Sequence, residues 1–168
     1  MRSVVRAMAW IARQARPDHS QIISRLQTLI GTGTVKDPRE CNRVLGHAKI
    51  DSHTSIFSSS EGPTWKVAVL FTIYDASFCR EMEDIGMGLE GGRSQQGHVV
   101  CLATPGVLGA KIAMIHPIVW SSALIKRVCR STLMAETFDL QKGTDREAHI
   151  RVAIVDARGL LYVRRWKE

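Results

Sequence analysis

Three runs rich in Val, Ile and aromatic residues, 66–75, 96–104 and 111–122, sit in the second half of this chain. They constrain the fold more than any other feature. β-branched and aromatic residues in runs bounded by Gly, Pro and Ser are strand signals. An acidic, Gly-rich loop at 80–93 and a Pro105-Gly106 turn separate them. Strands joined by hairpin-type loops pair antiparallel. Pro117 inside the third run predicts an edge strand or a kink, because proline cannot donate to a ladder. From Ser131, a plausible N-cap, the pattern turns helical through "STLMAETFDLQKG". The stretch 145–159 fits neither period cleanly.

The first half carries a different period. Residues 2–15 place Val5, Met8, Ala9, Ile11 and Ala12 on one helical side, and 18–30 do the same with Ile22, Ile23, Leu26, Leu29 and Ile30. "RPD" at 16–18 breaks and restarts the chain, with Pro17 suited to a first helical turn. Gly31 and Gly33 are expected to stop the second helix. Asp37, followed by Pro38, predicts the start of a third helix running to about Ile50. The fold class expected is therefore α+β, N-terminal helices followed by three antiparallel strands and a long helix. The organisation expected is a helical segment over 1–51, a linker over 52–63 and a second unit over 64–168.

The 168 residues suffice for a real core, and no apolar run is long enough for a membrane span. The formal charge of +7 favours a polyanionic partner, weakly. Cys41, Cys79, Cys101 and Cys129 form no C-x-x-C pair. They read as reduced, buried thiols rather than a zinc site. The N-terminus, with four arginines before its first acid, is like a mitochondrial presequence in composition. An amphipathic helix explains it equally.

Two carboxylates carry the candidate chemistry. Asp75 closes the first strand-like run. Glu136 lies one turn into the last helix, with Leu133 and Leu140 at roughly 60° and 40° from it around the axis. That geometry predicts a glutamate on an apolar side. Two such groups converging would repel unless a divalent cation lay between them. Two-metal phosphodiester hydrolysis needs such a pair. A turn aspartate and a glutamate at the rim of a helix stripe explain the same residues without any metal.

Specific motifs decide between these readings. "MAWIARQARPD", "YDASF", "GGRSQQGHVV" and "IVWSSALIKRVCRSTLMAET" occur in that order between Val4 and Gly159. Together they resemble the distal part of a copia-type retrotransposon Pol polyprotein, from the end of the reverse transcriptase module into the ribonuclease H-like domain. The resemblance implies a partial ribonuclease H-like unit over 64–168. It implies that Asp75 and Glu136 are catalytic magnesium ligands, and that Arg93, Ser94, Gln95 and Gln96 form a hairpin start that is structural or faces the hybrid rather than doing chemistry. Lys126, Arg127 and Arg130 precede the helix and could meet phosphates; a solvated basic turn is the plain alternative. The partners implied are an RNA–DNA hybrid or other nucleic acid and the remainder of the polyprotein, in the cytoplasm or nucleus.

The chain also departs from that pattern. A third Asp is required on the strand after the helix. Asp156, 20 residues past Glu136, is the only late Asp on an apolar run, and Ile150, Ile154 and Ala157 keep helical spacing around it. The third ligand is thus expected beyond Glu168, and little or no nuclease activity is expected from this chain. Two rivals stay open: a non-catalytic nucleic-acid-binding module, and a translated remnant without function whose unfinished sheet edge invites aggregation.

Overall fold

In a computed structural model, residues 1–30, 35–53, 68–78, 94–109 and 112–157 are described. Linker residues 54–63, the acidic loop, Arg93, Cys79, Gly31 and Gly33 fall outside them. The architecture is α+β. Helices α1 (Arg2–Gln14), α2 (Ser20–Thr28) and α3 (Lys36–Ile50) precede strands β1 (Val69–Ser77), β2 (Gln95–Ala103) and β3 (Ile115–Leu124), and α4 (Thr132–Ala157) follows. The sheet order is β1-β2-β3, antiparallel throughout.

The helices form where the apolar stripes stood. Val5, Met8, Ala9 and Ala12 of α1, Ile23 and Leu26 of α2, and Cys41 and Val44 of α3 make one buried cluster. Ile11 is the exception, exposed on the outer side of α1. Two boundaries differ from expectation. Helix α2 closes at Thr28, ahead of the glycines, and α3 begins at Lys36, leaving Asp37 within the first turn rather than capping it.

"RPD" does more than break the chain. Pro17 opens a short 3₁₀ turn, Pro17–His19. The buried Arg16 guanidinium then gathers that turn: Nε and Nη2 donate to Asp18 at 3.0 and 2.7 Å, and Nη2 donates to His19 Nε2 at 2.9 Å. Its Nη1 donates to the carbonyl of Asp51 at 2.8 Å, at the C-terminal end of α3. One side chain thus joins the first turn to the third helix.

The hydrogen bond from Arg16 holds the Asp18 carboxyl below its ordinary value of 3.8. A depressed folded-state value means that ionised Asp18 stabilises the fold above about pH 4, and that this contribution is lost as pH falls through the folded value. Asp18→Asn is therefore expected to be less stable than the parent at neutral pH. The gap should close below pH 3.8. Urea unfolding at both pH values checks it, and a gap that persists in acid would count against the ion pair.

The sheet is covered on one face by α4. Ser131 caps that helix, its Oγ accepting the amide of Met134 at 3.1 Å. Helix and sheet come closest at Gly143. A Cβ there would stand 3.2 Å from Thr72 Cγ2, 3.7 Å from His98 Cβ and 3.9 Å from Tyr74 Cβ. Gly143→Val is expected to cost about 2–3 kcal/mol by overpacking. Gly143→Ala gains about 1 kcal/mol of helix propensity against a tight approach, so its net effect is small. Thermal unfolding of the two variants tests this ordering.

Pro117 lies on a sheet edge, at a β-bulge. Val100 pairs with Val119 and Cys101 with Pro117, so Ile118 is the extra residue. The first helices meet the sheet at β3, where Trp120 Nε1 donates to the carbonyl of Ala12 at 2.6 Å. Cys41, Cys101 and Cys129 are buried free thiols, and burial pushes the Cys101 thiol up from its ordinary value. No helix among the described residues is long and apolar enough to cross a membrane.

Candidate functional site

One end of the sheet collects the residues that the motifs single out. Asp75 pairs with Gly97, and Gly97 with Ser122. Two residues beyond Ser122 the third strand ends, and the connection 125–131 leads into α4. Ala76 and Ala135 share one buried cluster with Ile125 and Cys129. The chain neighbours of those alanines, Asp75 and Glu136, therefore sit at the same end of the molecule.

They do not face each other. Thr72, Tyr74 and His98 lie under Gly143, and Ala76 packs with Ala135, so this set marks the face beneath α4. Successive strand residues alternate between faces, which puts Asp75 on the opposite one. There it is exposed, and Glu136 is half-buried.

The helix face is also not the one that the leucines suggest. Leu133 and Leu140 are 75% and 43% exposed. The residues turned to the sheet are Ala135, Asp139, Gly143 and Glu147, spaced four apart. Ala135, Asp139 and Gly143 are buried, and Glu147 Oε2 accepts from Thr72 Oγ1 at 3.0 Å. Spacing by four keeps residues on one helix side, and small side chains let the backbone approach the sheet. The expectation of Glu136 on a buried leucine side is thus corrected.

Asp139 is the carboxylate that sequence reasoning missed. It is wholly buried, and its Oδ2 accepts the Gly97 amide at 3.3 Å. Its Oδ1 faces Nδ1 of His98 at 3.6 Å, and His98 is itself only 6% exposed. Oδ1 and both imidazole nitrogens have no hydrogen-bond partner among the described residues. The available signals were the four-residue spacing of Ala135, Asp139 and Gly143, and a histidine inside an apolar strand.

Ser94 and Gln95 are buried at the start of β2. The Ser94 carbonyl accepts the Ile125 amide at 2.8 Å, and Gln95 Nε2 donates to Ser122 Oγ at 2.7 Å. These bonds tie the hairpin start to the far end of β3, a structural role. Lys126, Arg127 and Arg130 are exposed on the connection into α4. Arg127 lies over the Phe138 ring, 5.4 Å from its centroid, which anchors the guanidinium beside the helix start.

Asp156 lies on α4 and is exposed. At 1.5 Å per residue it stands about 30 Å along the axis from Glu136. It cannot share a cation with it. Among the described residues, no three of His, Cys, Asp or Glu converge to hold a metal. The magnesium that the motifs imply does not fit the residues as arranged: Asp75 and Glu136 belong to different sides of the sheet, and Asp156 is remote. No family model matches this chain, and neither a curated protein nor a solved structure matches it.

Proposed function

We propose that this chain is a fragment of a copia-type retrotransposon Pol polyprotein, related to the ribonuclease H domain that cuts RNA in RNA–DNA hybrids, and catalytically incomplete. The observation that carries this reading is the order of four motifs; Asp75, Glu136, Lys126, Arg127 and Arg130 lie at the same end of the sheet, Asp75 on the face away from α4. What such a surface can do without a complete carboxylate set is bind. Exposed Lys126 and Arg130 and ring-anchored Arg127 suit the phosphates of an RNA–DNA hybrid. The natural setting of this reading is the cytoplasm or nucleus, beside the remainder of the polyprotein.

The test uses a labelled RNA–DNA hybrid with magnesium or manganese. The folded chain is expected to leave it intact, as are Asp75→Asn and Glu136→Gln. Binding should weaken with salt, and replacing the three basic residues by glutamine should flatten the log–log slope by about 0.9 for each phosphate no longer neutralised. Cleavage that disappears in both carboxylate variants would overturn the incomplete-site reading. Binding indifferent to salt would remove the nucleic-acid reading. An insoluble chain, or rapid hydrogen exchange throughout 66–122, would favour a remnant without function.

A further inference from the structure

A second basic site lies along the outer edge of β3, between that strand and the first two helices. Six successive residues of β3, Ile118–Ala123, form one wall of a cleft of about 410 Å³. Strand β3 pairs only with β2 among the described residues, so the wall is its outer edge, with strand amides and carbonyls along it. Ala9, Ala12 and Arg13 of α1 and Ser20, Ile23, Ser24 and Gln27 of α2 form the facing wall. Arg146 of α4 completes the lining.

The chemistry of this lining is one-sided. Among the described residues it holds two arginines, four serines and a glutamine, and no carboxylate. Arg13 and Arg146 are exposed, and neither forms an ion pair among the described residues. By contrast, Arg16, Arg43 and Arg151 each bind an acid of their own helix or turn. Ser24 is buried, yet its hydroxyl makes no hydrogen bond among the described residues, which leaves it available to the cleft. Two guanidinium groups lining one cleft with hydroxyl and amide donors, and no carboxylate among the described lining residues, suit a phosphate group. The volume is within the range of small-ligand pockets.

We propose that the cleft between α1, α2 and β3 binds phosphate, with Arg13 and Arg146 as its cationic clamps and Ser24 as a hydroxyl donor. The phosphate can come from a free phosphorylated small molecule or from the backbone of a nucleic-acid strand. The proposal does not depend on the Pol reading, because none of its residues belongs to the basic connection before α4.

The experiment titrates the full chain with inorganic pyrophosphate by calorimetry, and separately with a labelled single-stranded oligonucleotide. Saturable pyrophosphate binding is expected, weakened about tenfold by Arg13→Gln or Arg146→Gln and more by both together. Lys49→Gln, an exposed change on α3 outside the cleft, should leave it unchanged. In the parent chain, pyrophosphate should shift the guanidinium Nε–H resonances of Arg13 and Arg146, a readout independent of any variant's folding. Oligonucleotide binding that falls with the same two arginines identifies a strand as the source, and pyrophosphate binding alone identifies a small molecule. No saturable pyrophosphate binding would overturn the proposal. So would binding unchanged in the double variant, or binding weakened as much by Lys49→Gln. A cleft that instead takes up an uncharged extended peptide, indifferent to Arg13 and Arg146, would overturn it in favour of strand addition to β3.

Discussion

His98→Leu is expected to cost about 2–3 kcal/mol, among the larger effects of any single replacement in the sheet unit. The reason is what it leaves behind. Asp139 is wholly buried, its Oδ2 has only the Gly97 amide, and its Oδ1 faces the imidazole alone among the described residues. Taking the imidazole away leaves Asp139 Oδ1 without its polar neighbour in a buried site, and an unsatisfied buried polar group is costly. Asp139→Asn keeps the shape and an acceptor for Gly97, so it should cost less, about 1–2 kcal/mol. The double replacement His98→Leu with Asp139→Leu removes both polar groups and orphans only the Gly97 amide. It should be more stable than His98→Leu alone. Urea unfolding of the four proteins closes the cycle. A double variant as damaged as the sum of its singles would mean that the two side chains are energetically independent.

Arg16→Ala is expected to cost about 3 kcal/mol in the helical unit. The buried guanidinium serves Asp18, His19 and the carbonyl of Asp51 together. Truncation orphans that carbonyl and frees the 3₁₀ turn from α3. Arg16→Lys should recover only a minor part, since an ammonium cannot span a bidentate carboxylate and a carbonyl across the plane of a fork. Chemical unfolding followed by helix content measures both. Full rescue by lysine would show that charge, not the planar fork, is what the site needs.

These two residues also mark the boundary of what the sequence discloses. Helical stripes in 2–30 and strand runs after 66 are local patterns, so element types followed from them. Ser131 was legible as a cap because the amide that it accepts is three residues away. Arg16 was legible only as part of a turn, because its bond to Asp51 spans 35 residues. The face of α4 misled for a physical reason. The helix meets the sheet through Ala135, Asp139 and Gly143, which favour close approach, while Leu133 and Leu140 point outward. An apolar-stripe argument weighs leucines and overlooks small residues. It therefore brought forward Glu136 and passed over Asp139. Asp156 was ambiguous because 145–159 fits neither period cleanly, and continuity with α4 resolves it as helical.

Two separate buried clusters stand out, one among α1, α2 and α3 and another joining β1, the connection 125–131 and α4, with Trp120 and the carbonyl of Ala12 at the seam. Such packing is expected to give two cooperative blocks rather than one. Each block can open with a free energy of its own, so its amides exchange on its own schedule. A single midpoint for the whole chain then averages two events. Arg16 governs one block and the His98–Asp139 pair the other, so damage to either should leave its neighbour's protection nearly intact.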